Sequence, residues 1–236
     1  SEPYYVPFKG DANYRGYPSV LRDELFRQVE ALYERRIPVA IHCNGDASID
    51  DGLDAIEAAM VAHPWPEARP LIIHAQMTRK DQIDRMAELG VTPSFFSAHT
   101  YYWGDRHAAI FMGPERAANM SPARWALDAG VRFSSHLDTP VTPMLPLQAV
   151  WSQVERESTG GAVIGPAQRI GRMPALRAVT IDAAWQVFME DEIGSIESGK
   201  RADLVVLSEN PLTAEDIRGV KVDRTVIDGA TVYARL

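Results

Sequence analysis

The sequence predicts an α/β protein: half of a (β/α)8 barrel over residues 1–188, followed by a small β domain over residues 189–236. Three observations carry this. From about residue 38 to 184, short apolar runs alternate with longer segments of helical period, the pattern of repeated β/α units. The runs are rich in Val, Ile, Leu and Phe, as parallel strands covered on both faces should be. After Phe188 the pattern changes to short alternating runs separated by turn residues.

The first element is a helix with Leu21, Leu25, Val29 and Leu32 on one stripe, belonging to a unit whose strand lies outside this sequence. Four strands follow, at Val39–His42, Leu71–His74, Val91–Phe96 and Val131–Asp138. The first connecting helix places Ile49, Leu53, Ile56 and Met60 on one face, and the second Ile83, Met86 and Leu89. Thr78 with Asp81 reads as a capping box, and Ser121 with Pro122 as an N-cap and first helical residue, the helix stopping before Gly130. Residues 61–70, with prolines around Trp65, read as an exposed loop. In the terminal part the runs are Ala202–Leu207, Arg224–Ile227 and Thr231–Ala234. Asp228-Gly229 signals a hairpin, because a type I' turn needs positive φ at both central residues.

The 236 residues are 46% hydrophobic and 24% charged, enough to bury a substantial core. A formal net charge of −8 argues against nucleic acid or an anionic membrane, either of which needs a basic face. No run approaches the roughly 18 apolar residues of a membrane span. Cys43 stands alone, so no intrachain disulfide can form, and a reducing, cytoplasmic compartment is expected. The chain opens on Ser1 without a Met or a signal sequence, so the natural N-terminus is expected to lie elsewhere.

In parallel β/α folds, catalytic side chains collect where strands end. Here the first strand ends at His42, the second at His74 and the fourth at Asp138, and His99 lies just past the third. Any one such histidine is as readily a hydrogen-bonded structural residue, but all four strand ends carry a reactive group. Imidazole nitrogens and a carboxylate suit Zn(II) or a similar divalent ion, and the matching chemistry is metal-assisted hydrolysis of a small molecule.

The motifs Ile-His-Cys-Asn-Gly-Asp at 41–46, Ile-Ile-His-Ala-Gln at 72–76 and Leu-Asp-Thr-Pro-Val at 137–141 resemble the amidohydrolase superfamily, nearest the branch of N-substituted formamide deformylases. Ser97-Ala98-His99, Tyr102-Trp103-Gly104-Asp105 and the stretch from Ile193 to Leu207 extend the likeness over nearly the whole chain. The resemblance implies strands 5–8 of the barrel and part of a small β-sandwich. It implies His42 as the metal ligand ending strand 5, His74 as the ligand ending strand 6, and Asp138, ending strand 8, as proton shuttle and further ligand. His99 then binds the substrate carbonyl or the oxyanion formed from it; alternatively it packs against Tyr101, Tyr102 and Trp103, which form either an apolar lid or a wall facing the substrate. The implied activity is cleavage of a non-peptide C–N bond, amide or formamide-like, through metal-activated water. A deaminase or esterase of the same superfamily, or a non-catalytic binding or regulatory protein on its scaffold, are the alternatives.

Other residues read more plainly. Asp46 caps the helix it opens, or orients a ligand histidine. Cys43 points away from His42 as a small buried residue. His136 shares a strand face with Asp138 but reads first as filling the interior beside Ser134, while His136 and Leu137 both depart from the superfamily pattern. His63 and His107 read as exposed, with substrate contact the lesser alternative for His107. The superfamily's His-x-His pair of strand 1 and its bridging lysine of strand 4 are missing, since neither Lys9 nor Lys80 ends an apolar strand. One or two metal ions therefore need further ligands from an N-terminal segment of the same protein or a separate chain. That partner would also cover the open strand edges, and a homo-oligomer is a further option.

Overall fold

Four strands, β1 (Ala40–Cys43), β2 (Leu71–His74), β3 (Thr92–Phe95) and β4 (Ser134–Ser135), form one parallel sheet in the order β1-β2-β3-β4. The computed structural model describes Pro7, Asp11 and residues 13–236; the Ser1 start and Lys9 lie outside the described residues. The sheet is in register, His42 opposite Ile73 and Ile73 opposite Ser94. Helices α1 (Arg22–Glu34), α2 (Asp46–Ala62), α3 (Lys80–Leu89), α4 (His99–Arg106), α5 (Pro114–Ala117) and α6 (Ala123–Asp128) precede or link the strands. After β4 come α7 (Pro146–Glu155), α8 (Arg172–Ala178) and α9 (Ile181–Gln186).

The helix-facing side of the sheet is the core. Ile41, Cys43, Ile72 and Phe95 are buried there with Ile49, Leu53 and Ile56 of α2 and Ile83 and Met86 of α3. Gly52 permits this contact: a Cβ on it would lie 3.1 Å from Ile72 Cδ1 and 3.3 Å from Cys43 Sγ. The opposite side, carrying Ala40, His42, Leu71, Ile73 and Ser94, is exposed or only half covered. Three helix ends differ slightly from the sequence reading. Arg79, not Thr78, caps α3, its N–H donating to the Gln82 side-chain oxygen at 3.0 Å. Pro122 caps α6 while Ser121 takes a left-handed φ of 48°. Leu21 caps α1 and is exposed, so the buried stripe runs through Leu25, Val29 and Tyr33.

The fourth strand is the larger difference. Residues 131–138 were expected to be extended, yet only Ser134 and Ser135 are strand, with the His136 N–H continuing to Phe95 O at 2.9 Å. Among the described residues β4 has a neighbour on one side only, so nothing holds the following residues to a straight ladder. The 61–70 loop is exposed in part: Ala68 and Pro70 are buried, and Trp65 meets Tyr33 edge-on at 5.9 Å.

A second, antiparallel sheet is made of β5 (Leu204–Leu207), β6 (Val222–Ile227) and β7 (Ala230–Ala234). Its hairpin has the expected geometry, with φ of 50° at Asp228 and 79° at Gly229. Val205, Val206, Ile227, Val232 and Tyr233 on it are exposed. The segment between β5 and β6 returns to the first layer: Ile217 is buried in the main core, and the Arg218 guanidinium lies 3.9 Å from the Trp151 ring centre. Among the described residues no helix is long and apolar enough to cross a membrane.

Candidate active site

The carboxyl ends of the four parallel strands gather five of the chain's six histidines. The His42 and His74 rings meet edge-to-face with centroids 4.3 Å apart. His136 lies 5.0 Å and His99 6.0 Å from His74, and His107 lies 6.1 Å from His99.

Strand alternation alone would not produce the first contact. Paired residues of parallel strands share a face, and His74 pairs with Cys43, which points into the helix layer, rather than with His42. His74 reaches the other side because its φ is 69°, a left-handed value that bends the chain as β2 ends. Ala75 follows at 47°. Each such residue costs about 1–2 kcal/mol outside glycine, and strain of this kind concentrates at functional sites. The bend is pinned by Ala75 N–H on Cys43 O at 3.0 Å, Met77 N–H on Asn44 O at 2.9 Å and Thr78 Oγ1 on Ala75 O at 2.7 Å.

His99 opens α4, its ring 4.1 Å from Phe96 and 5.6 Å from Trp103. Burial, and then the neighbouring His107, His74 and His136, hold it well below the ordinary histidine pKa, so it is neutral at pH 7. Of the aromatic run, Trp103 faces this histidine, while Tyr101 packs into the core against Trp151 at 5.4 Å. Asp105 ties α4 to the loop after α7, accepting from Ser158 Oγ at 2.8 Å and Gly160 N–H at 3.1 Å.

His136 belongs to the cluster and does more than fill space beside Ser134. It stacks on Phe96 at 5.3 Å, and burial lowers its pKa against the opposing pull of Asp138. Asp138 itself is exposed, at φ 53°, starting a turn closed by Val141 N–H on its carbonyl at 2.7 Å. Next to it Ser135, Leu137, Thr139, Met144, Pro146 and Val179 line an open cavity of about 360 Å³.

Two residues gain importance over the sequence reading. His107, expected to be exposed, is half-buried at the point where α4 passes into a π-helical turn (His107–Phe111). Its Nε2 lies 3.0 Å from the side-chain nitrogen of buried Gln76. The sequence signal was faint: Gln76 follows His74 by two, and no spacing rule announces a π turn. Asp46 opens α2 as expected, with Oδ1 accepting from Ala47 N–H at 3.0 Å and Oδ2 3.7 Å from Arg79. Cys43 is buried on the helix side, and His63 lies apart from the cluster, 3.6 Å from Glu30.

Among the described residues, no three His, Cys, Asp or Glu side chains are arranged to hold a metal ion. Asp138 thus does not complete a three-ligand group with His42 and His74; it sits in a turn beyond a two-residue strand at the sheet edge. The two imidazoles in ring contact are a partial donor set of the right chemistry for a divalent ion.

A family profile described as Amidohydrolase family (Amidohydro_3) matches residues 1–233. The chain is 34% identical over 201 residues to an N-substituted formamide deformylase of Arthrobacter pascens, covering 84% of this chain and 37% of that protein. Among solved structures it is similar to uncharacterized metal-dependent hydrolases of Pyrococcus horikoshii OT3 (TM-score 0.78, 25% identity, 90% of this chain and 42% of that one) and Pyrococcus furiosus (TM-score 0.74, 27% identity, 89% and 42%). The chain therefore spans less than half the length of each of these relatives. On the profile match and the strand-end histidines together, the chain belongs to the amidohydrolase family.

Proposed function

We propose that this chain supplies strands 5–8 and part of the active site of a metal-dependent hydrolase that cleaves a non-peptide C–N bond, in an amide or N-substituted formamide. The observation that carries the reading is the meeting of His42 and His74 at 4.3 Å, from neighbouring strands, through a left-handed His74. His42 and His74 would hold the ion, with Zn(II) the best match to paired imidazoles. When bound, such an ion supplies Lewis acidity that polarises a carbonyl and makes water a nucleophile at neutral pH.

The chain's own residues do the rest. The Asp138 carboxylate, exposed at the sheet end, accepts the proton released by the attacking water and returns it to the departing amine nitrogen. His99, kept neutral by burial, donates a ring N–H to the substrate carbonyl oxygen rather than competing as a base. Phe96 and Trp103 hold its ring and keep water from it.

Strands contributed from outside these residues complete the barrel and the remaining ligands. The exposed His42 face, the position of β1 and β4 at the two ends of the sheet among the described residues, and the exposed apolar residues of β5–β7 support that reading. The test is a panel of N-substituted formamides, amides, ureas and esters offered to the Zn(II)-loaded full-length protein. Hydrolysis of a formamide or amide is expected, and Asp138→Asn should keep the metal while losing about a hundredfold in turnover. Near-normal turnover by that variant removes Asp138 from its role. Failure to bind Zn(II) or to hydrolyse any of the panel favours a binding protein on the same scaffold.

A further inference from the structure

His107 is joined to the site by an interaction that fixes its chemistry. The Gln76 carboxamide nitrogen, 3.0 Å from His107 Nε2, can only donate, so Nε2 accepts and the ring proton resides on Nδ1. The same Gln76 nitrogen lies 3.5 Å from Met120 Sδ, its second acceptor. The Gln76 main-chain carbonyl receives the Ser121 N–H at 2.8 Å, which holds the backbone that carries the carboxamide.

The opposite nitrogen is unused. His107 Nδ1 is buried, and among the described residues it has no hydrogen-bond partner. The same holds for Nδ1 of His99, whose ring centre is 6.1 Å away at an interplanar angle of 80°. Ring centres this close are compatible with one oxygen atom, once it enters between the rings, taking a hydrogen bond of about 2.9 Å from each. A buried N–H without an acceptor is uncommon, and a catalytic or ligand-binding role is one of the explanations for it. Independently, His107 begins the π-helical turn, a rare local geometry that is frequent at functional sites.

We propose that His107 is a second substrate-binding imidazole, a neutral Nδ1–H donor set by Gln76 that grips a carbonyl or carboxylate oxygen of a small molecule jointly with His99. This rests on the hydrolase reading for its substrate, but not for its tautomer or its oxygen ligand. Burial, aided by Arg106, holds the His107 pKa to about 4, which keeps the ring neutral through the working range.

Long-range 15N–1H correlation spectra of the 15N-histidine-labelled full-length protein read the tautomer directly, and His107→Asn assigns the signal among six histidines. The wild type should show Nδ1–H, Gln76→Leu should admit the Nε2–H form, and sodium formate, the product carboxylate of a formamide, should shift the His107 signal. In turnover, His107→Phe should lower kcat/KM about tenfold to a hundredfold, the scale of one buried hydrogen bond. His107→Asn, which places a carboxamide N–H near Nδ1, should recover most of that loss, as a merely structural role would not. An Nε2–H or doubly protonated ring in the wild type, a signal unmoved by formate, or unchanged kcat/KM in His107→Phe overturns the proposal. If His107→Phe does not fold, the wild-type spectra with and without formate decide. A protein that hydrolyses no member of the panel, yet binds formate at an Nδ1–H His107, sinks the proposed function and leaves this inference standing.

Discussion

Arg156→Met is the substitution whose cost can be worked most directly from the structure. The Arg156 side chain is fully buried at the end of α7, and among the described residues no carboxylate is a hydrogen-bond partner. Its Nε donates to Ile164 O at 2.7 Å and Nη2 to Met120 O at 2.9 Å; two longer bonds of 3.4 Å reach Ser121 O and Ala118 O. Methionine fills much of the volume but strands the two well-bonded carbonyls, at about 1–3 kcal/mol each. Relief of the buried cation, whose pKa burial lowers to about 10, offsets part of that. The net expectation is a loss of about 2–4 kcal/mol, or about 4–16 °C in Tm for a domain of this size. Differential scanning calorimetry of the full-length protein measures it, with Arg156→Lys, which keeps the charge but not the fork of donors, falling between. An unchanged Tm in Arg156→Met would refute the assignment of these carbonyls to one guanidinium. Because Arg156 braces Met120 and Ser121, which in turn contact Gln76, the variant should also weaken the His107 arrangement.

Gly165→Ala should be more damaging. A Cβ there would lie 1.6 Å from the Ala118 carbonyl oxygen at a φ of 63°, and no side-chain movement can relieve a backbone clash. A loss of at least about 3 kcal/mol is expected, seen as a lower urea midpoint or lost soluble yield, and wild-type stability would contradict the close approach. Acid should destabilise the chelator-treated protein in a defined window. His107 is held at about 4 against an ordinary 6.5, with His99 and His136 shifted the same way, so between those values the unfolded chain takes up protons that the folded one does not. Their contribution is complete above pH 6.5 and is lost as the pH falls towards about 4. Urea midpoints across that range should fall with pH, less steeply in His107→Asn; a flat wild-type profile would show that these rings are not held neutral.

The strand ends were legible because Val- and Ile-rich runs stop at His42 and His74, and a polar residue closing a buried parallel strand is easily seen. What was not legible is how His74 reaches His42. Register puts it on the wrong face, and only a left-handed residue that no sequence rule assigns to histidine corrects it. Asp138 was identified as a strand end, yet a strand with one neighbour pairs over two residues, and its last part becomes a turn. His107 and Gln76 escaped because their meeting is tertiary: residues 31 apart in sequence, joined where α4 passes into a π turn. The aromatic run was seen but not divided. Its helical spacing sends Tyr101 to the core and Trp103 to His99.

His42 and His74 are proposed to hold one divalent ion together. Anomalous diffraction at the zinc edge, from crystals of the Zn(II)-loaded full-length protein, tests it most directly. A peak bonded to one ring nitrogen of each histidine, and absent in His74→Ala, is the predicted result. A peak elsewhere, or no peak with the two rings in their 4.3 Å contact, would contradict it.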